Sequence, residues 1–234
     1  MRKKKLSIIV PVYNEKPTVV ELLELVKKVN LGKDMEKEII VVDDMSTDGT
    51  RDVLKDLHDR AYKIIFSDKN EGKGGAIKRG LKHVTGDYVI FQDADLEYDP
   101  KEYKGLLDVL LDKKVDFVLG QRMFPRFFST EQQIRLYAIG NRLIAFCGNM
   151  LYGTRLRDYE PCYKLFKIEV LRSIDVKSNG FEYDIELMAR LFKNKYKFAA
   201  TPITYNPRSF EEGKKITWHD GLKALWTLLK MRFS

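Results

Sequence analysis

Two cysteines in 234 residues, Cys147 and Cys162, are too few for a disulfide scaffold, and their spacing suits no zinc site. Such usage fits a reducing compartment. No run of 18 apolar residues occurs, so no segment is expected to span a bilayer. The apolar stretch Leu6–Val12, behind Met-Arg-Lys-Lys-Lys, is too short for a secretory core and is followed by no small-residue cleavage site. Internal repeats, low-complexity linkers and nucleic-acid-binding motifs are also missing. What is left is a globular chain long enough to bury a core, with nucleic acid excluded from its expected partners.

Charge is present but unevenly placed. The net charge is +8, yet residues 1–120 carry 22 Lys and Arg against 23 Asp and Glu. Residues 121–172 carry nine against four, and residues 205–234 six against three. The basic excess therefore lies in the second half, which points to an anionic partner there: lipid headgroups or a phosphorylated substrate.

The most informative stretch is Tyr88-Val-Ile-Phe-Gln-Asp-Ala-Asp-Leu-Glu97. Its β-branched and aromatic start reads as a strand. Asp93, Asp95 and Glu97 then follow at alternate positions, which in an extended chain puts three carboxylates on one side. Crowded carboxylates repel unless a cation sits among them, and hard oxygen donors suit Mg²⁺ or Mn²⁺ shared with substrate phosphates. An acidic turn closing a strand is the alternative reading.

In chain order, strands are predicted at Leu6–Val12, Glu38–Asp43, Tyr62–Phe66, Tyr88–Gln92 and Val115–Gly120. Helices are predicted from Pro17 to Val29, from Asp48 to about Arg60, over Gly74–Val84 and over Pro100–Leu111. This alternation predicts a parallel α/β sheet covered on both faces. Ligands of such sheets sit beyond the carboxyl ends of the strands. Tyr13-Asn14-Glu15, Asp43-Asp44 and Asp93-x-Asp95 all fall there. Two near-misses are set aside. Asp44–Gly49 imitates a calcium loop but has Lys55 where a bidentate Glu is needed. Gly72-Lys-Gly-Gly75 lacks the Ser or Thr of a P-loop and has Ile77 where a dinucleotide fingerprint needs glycine. Those glycines are either a turn before a helix or an anion cradle at its start.

Val10-Pro-Val-Tyr-Asn-Glu15, Val42–Thr50, Asn70–Gly80 and Gln92-Asp-Ala-Asp95 resemble, in order, the motifs of family 2 glycosyltransferases with the GT-A fold. Gly120-Gln-Arg122, Asp158–Lys164, Gly180–Glu186 and Ser209–Lys215 are similar to the branch containing dolichol-phosphate mannose synthase and other polyprenyl-phosphate sugar transferases. The resemblance implies a Rossmann-like, mostly parallel sheet in one domain over residues 1–216. A nucleotide-sugar half (1–120) precedes an acceptor half (121–216), and an amphipathic helix follows over 217–234.

It also implies roles. Pro11, Tyr13, Glu15, Asp43 and Ser46 would hold base and ribose, and Lys73, Asp93, Ala94 and Asp95 would line the nucleotide. Asp93, Asp95 and Glu97 would surround Mg²⁺ or Mn²⁺ on the donor's diphosphate. The expected reaction is inverting transfer of a hexose, from a GDP-mannose or UDP-glucose type of donor, to a dolichyl or undecaprenyl phosphate. The expected place is the cytoplasmic membrane face, by peripheral contact.

A lipid phosphate is ionised at neutral pH and needs charge neutralisation rather than a base. Arg122, Arg135 and Lys214 or Lys215 are the candidates, since arginine's fork suits phosphate oxygens. Ile139 stands where those relatives have a serine one turn after the arginine. Glu182, Asp184 and Glu186 are a second departure. Asp184 or Glu182 would be the general base if the acceptor were a sugar hydroxyl of a glycan or cell-surface polysaccharide; acids in a helix's first turn also simply favour its dipole. A non-catalytic nucleotide-sugar or membrane-binding module is a third reading, opposed by the intact Asp93/Asp95 pair. Finally, Leu222, Leu225, Trp226 and Leu229 share a helical stripe near Lys223, Lys230 and Arg232. That stripe fits either an interfacial helix or an ordinary docked one.

Overall fold

The computed structural model describes residues 2–123, 132–208 and 218–233. Seven strands form one sheet: β1 (Lys4–Val12), β2 (Met35–Asp43), β3 (Tyr62–Phe66), β4 (Tyr88–Phe91), β5 (Phe117–Arg122), β6 (Lys164–Lys167) and β7 (Phe198–Ile203), in the order β3-β2-β1-β4-β6-β5-β7. Pairing is parallel except around β6, which runs antiparallel to both β4 and β5. The helices are α1 (Val19–Lys28), α2 (Thr50–Lys55), α3 (Gly72–Leu81), α4 (Glu102–Asp112), α5 (Gln132–Tyr152), α6 (Ile168–Ser173), α7 (Glu182–Lys193) and α8 (Trp218–Phe233).

Side-chain alternation along the strands builds two cores. From β1, Ile8 and Val10 face one layer with α1 and α4, packing Leu22, Leu23, Tyr103 and Leu106. Ile9, on the other side, joins Ile77 of α3, Ile185 and Leu187 of α7, Ile144 of α5 and Leu228 of α8. The sheet is thus covered on both faces, as the sequence predicts. Gly80 lets α3 lie close to it, since a Cβ there would stand 2.8 Å from Ile9 Cγ2. Element ends differ from the sequence reading by a few residues, most of all at α2. The α2 helix stops at Lys55, and α3 begins at Gly72 because Asp44 caps it.

β1, β2 and β4 end at one edge. Each is followed by a non-glycine residue with positive φ: Asn14 (+50°), Met45 (+64°) and Leu96 (+62°). Such backbone is uncommon outside glycine and turns the chain sharply. Those three turns carry the polar residues singled out above.

Candidate active site

The first two turns are locked to each other. The Asn14 amide donates to Ser46 Oγ (2.9 Å), the Thr47 amide to Asn14 Oδ1 (2.8 Å), and the Glu15 amide to Thr50 Oγ1 (3.0 Å). Asp43 is fully buried at the end of β2; its Oδ1 accepts the Ser46 amide at 3.3 Å. Its Oδ2 lies 3.3 Å from Arg51 Nε as an ion pair yet accepts no hydrogen bond. A buried carboxylate oxygen with unused capacity is poised to take a donor from a ligand. Tyr13 is 38 % exposed at the same edge.

The third turn carries the acids. Gln92 anchors it: its Oε1 accepts the hydroxyls of Tyr103 (2.5 Å) and Tyr163 (2.7 Å), and its Nε2 donates to the Asp93 carbonyl. The Asp93 amide donates to Cys162 Sγ, and Thr18 Oγ1 donates to the Ala94 carbonyl at 2.8 Å. Fixed in this way, the Asp93 carboxylate meets Lys73 Nζ at 2.8 and 3.1 Å. Burial, with Asp93 and Glu97 close by, pushes the Asp95 carboxyl up to about 7. Arg208 offsets part of this charge. Its guanidinium meets both Glu15 oxygens at 3.0 Å and Asp95 Oδ2 at 3.3 Å. Glu97 faces the other way, accepting the Tyr205 hydroxyl (2.9 Å) and the Arg208 amide (2.8 Å).

Beneath the acids lies a buried chain of charges. Lys164, fully buried, donates from Nζ to Asp184 Oδ1 at 2.9 Å and also to the Pro161 carbonyl. Lys73 Nζ stands 3.5 Å from Asp184 Oδ2, so two ammonium groups and two carboxylates alternate from Lys164 to Asp93. Burial opposes the charge on Asp184, but Lys164 and Lys73 outweigh it and hold its carboxyl below the usual range. Burial likewise opposes the Lys73 ammonium, and Asp93 with Asp184 keeps it protonated. To one side, Arg122 closes its fork on Asp158, with Nη2 at 2.8 Å from Oδ1, and stacks 5.1 Å over the Tyr205 ring. Glu160, next to this pair, is pushed up to about 7 by burial.

The match to known proteins follows this geometry. The model of glycosyl transferase family 2 fits residues 7–175. The chain belongs to that family. A dolichol-phosphate mannosyltransferase of Pyrococcus furiosus is 29 % identical over 97 % of this chain and 64 % of its own length. Two Haloferax volcanii proteins, the glycosyltransferase AglJ and the low-salt glycan biosynthesis hexosyltransferase Agl6, are 28 % and 26 % identical over 86 % and 88 % of this chain. They are longer: the chain spans 63 % and 49 % of their lengths. Among solved structures, glucosyl-3-phosphoglycerate synthase from Mycobacterium tuberculosis, in complex with Mn²⁺, UDP and phosphoglyceric acid, superposes with a TM-score of 0.73. It is 20 % identical, over 98 % of this chain and 79 % of that one, and carries the same GT-A fold. S. aureus TarS in complex with UDP-GlcNAc gives 0.63 at 18 % identity, over 97 % and 66 %.

In this family 2 glycosyltransferase, the structure gathers the expected residues into two ion-paired groups: Glu15 and Asp95 joined through Arg208, and Asp93 and Asp184 joined through Lys73. The other expected residues are placed as follows. Among the described residues no three acidic, Cys or His side chains converge as a metal cage, and Glu97 accepts the Tyr205 hydroxyl and the Arg208 amide. Arg122, expected at the acceptor phosphate, is buried on Asp158. Glu182 turns back on the Gly180 amide at 3.3 Å. At the start of α3 the Glu71 and Gly72 amides donate to Asp44, and the Gly75 amide to the Asn179 carbonyl. Arg135 lies in α5 with its side chain outside the described residues, as are Lys214 and Lys215 entirely.

Arg208, Lys164 and Asp158 escaped the sequence reading as site residues. For Lys164 and Asp158 the signal was their place in Asp158–Lys164, a motif without assigned roles. Arg208 pairs with Glu15 across 193 positions, and only the sheet brings them together.

Proposed function

We propose that this glycosyltransferase moves a hexose from a nucleotide-diphosphate sugar, with inversion, onto a polyprenyl phosphate at the cytoplasmic face of a membrane. The observation that carries the choice of acceptor is the state of Asp184. A general base needs a pKa near the working pH and a free lone pair. Asp184 fails the first requirement: a lysine stands at each of its oxygens, and its pKa is depressed. An acceptor that arrives ionised needs no base, and a phosphate arrives ionised. The 29 % identity to a dolichol-phosphate mannosyltransferase supports the same reading.

The chain's residues then divide the work. Asp43, with its unused Oδ2, takes a donor from the base, while Pro11, Tyr13 and Ser46 shape the surrounding slot. Asp95 and Asp93 supply hard oxygen donors in a region of excess negative charge, which fits Mg²⁺ or Mn²⁺ completed by diphosphate oxygens. Such a cation would stabilise the charge that develops on the leaving diphosphate. Lys73 holds Asp93 in place, and Asp184 and Lys164 hold Lys73. The acceptor phosphate falls to Arg135, Lys214 and Lys215, with Arg122 keeping Asp158 in position.

The test is transfer of labelled sugar from a panel of nucleotide sugars to a short polyprenyl phosphate, with Mn²⁺ or EDTA, followed by organic extraction. Label in the organic phase, of inverted anomeric configuration and lost with EDTA and with Asp95→Ala, is expected. Donor hydrolysis without lipid product overturns the acceptor assignment.

A further inference from the structure

Two helices of this chain are apolar on the face turned away from the core. On α8, Ala224 and Leu228 are buried in the layer beneath the sheet. Leu222, Trp226, Leu229 and Phe233 follow each other by four, three and four residues, which places them on the opposite side of the helix. All four are exposed, Trp226 by 67 % and Phe233 by 82 %. The α5 helix repeats the pattern. Ile144 and Ala145 face inward, whereas Ile139, Leu143, Phe146 and Met150 have the same four-three-four spacing and are exposed, Phe146 by 61 % and Met150 by 71 %. The two helices are packed together, and the Tyr152 hydroxyl donates to the Leu228 carbonyl at 2.9 Å. The remaining large exposed apolar side chains, such as Val20, Leu25 and Leu111, lie on other elements, so these two stripes form the concentrated patch. Patches of this kind on a water-soluble face mark an interaction site.

Its charge narrows the partner. No acidic residue occurs in α5, and α8 has only Asp220, against Arg142, Lys223, Lys230 and Arg232. A groove of about 500 Å³ runs between α7 and α8 with Trp226 and Lys230 on its α8 side and Lys177, Arg190 and Lys193 opposite. Within it Arg190 is paired with Glu186, which also accepts the Ser178 hydroxyl and amide, and Lys177 is paired with Asp175. A second copy of the chain would bring two basic faces together, and an uncharged partner would not complement Arg142, Lys223, Lys230 and Arg232. Apolar stripes flanked by Lys and Arg, with an aromatic side chain at the boundary, match an anionic bilayer surface.

We propose that α5 and α8 together form a docking platform for an anionic lipid bilayer, the two stripes entering the acyl boundary and Lys223, Lys230 and Arg232 meeting headgroup phosphates. The purpose of the platform rests on the lipid acceptor proposed above. Its existence is measured without donor or acceptor, so the two readings fail separately.

The experiment is co-sedimentation of the whole chain with vesicles of phosphatidylcholine alone or mixed with phosphatidylglycerol. Binding to the mixed vesicles, weakened by salt and absent from phosphatidylcholine, is expected. The Phe146→Ser/Trp226→Ser variant, changed only at exposed positions, should keep its circular dichroism and lose binding by about tenfold or more. Lys223→Gln/Lys230→Gln/Arg232→Gln should abolish the preference for the anionic lipid. Absence of binding, or binding indifferent to both variants, overturns the proposal. So does a dimer at sedimentation equilibrium that Phe146→Ser/Trp226→Ser dissociates, which would assign the face to a second copy.

Discussion

The Arg208 guanidinium stands 3.3 Å from Asp95 Oδ2 while gripping both oxygens of Glu15, so a side chain supplies the positive charge that the acid cluster requires. A divalent cation entering at Asp95 competes with it. Arg208→Met is expected to bind Mn²⁺ about tenfold more tightly in the absence of nucleotide, about 1.4 kcal/mol. The variant also leaves buried acids undercompensated and should lose about 3 kcal/mol of stability, part of which Mn²⁺ restores. Mn²⁺ titration followed by electron paramagnetic resonance, with melting curves alongside, reads both effects. Equal Mn²⁺ affinity in the two proteins would mean that Arg208 and the metal do not share the site.

Asp184→Asn removes the partner of a fully buried Lys164 and one partner of Lys73. Unpaired buried charges are costly, so the folded variant should be destabilised by about 3–5 kcal/mol. Loss of a general base lowers the rate by about 10²–10⁴. The expected loss in kcat on a polyprenyl phosphate is under about 10², with the pH–rate profile unchanged. A profile that loses its basic catalytic group in the variant would restore Asp184 as the base.

Glu186 accepts the Ser178 hydroxyl and the amides of Lys177 and Ser178, and pairs with Arg190. Burial pushes its pKa up, but these partners prevail and hold it at about 2, against 4.5 for a free glutamate. A depressed folded value means that the carboxylate adds stability above pH 4.5, and this is lost as the pH falls from 4.5 to 2. Glu186→Gln should therefore cost about 2 kcal/mol in urea unfolding at neutral pH. The gap between variant and wild type should narrow steadily below pH 4.5. A gap independent of pH would show that the ionised carboxylate contributes nothing.

Gly74 has no room for a side chain: a Cβ there would lie 2.5 Å from Tyr183 Cβ. Gly74→Ala should lower stability by about 1–3 kcal/mol through this overpacking of α3 on α7. Nucleotide affinity per folded molecule should hold, because the loop's amides face Asp44 and Asn179. Calorimetric titration with UDP and GDP at low temperature separates the two quantities, and a selective loss of nucleotide affinity would return the glycines to an anion cradle.

The strands of the first half of the chain were legible because each is a short Ile- and Val-rich run ending in polar residues, as in Ile39–Asp43 and Tyr88–Asp93. Period and turn chemistry carry that information locally. The antiparallel β6 was not legible: Lys164–Lys167 is four residues long, and its partners are set by the sheet. The site divides in the same way. Asp93 and Asp95 announce themselves by spacing, whereas the hold of Arg208 on Glu15 and of Lys164 on Asp184 depends on long-range packing. The outward stripe of α8 has the period of a core stripe, and only the burial of Ala224 and Leu228 on the other side distinguishes them.

The most direct comparison offers the enzyme two acceptors that differ only in charge, a short polyprenyl phosphate and the corresponding polyprenol, with the same donor and Mn²⁺. Product on the phosphate alone is the predicted result, since a chain whose Asp184 is held by two lysines activates no hydroxyl. A glycosylated polyprenol, formed at a comparable rate, would contradict it.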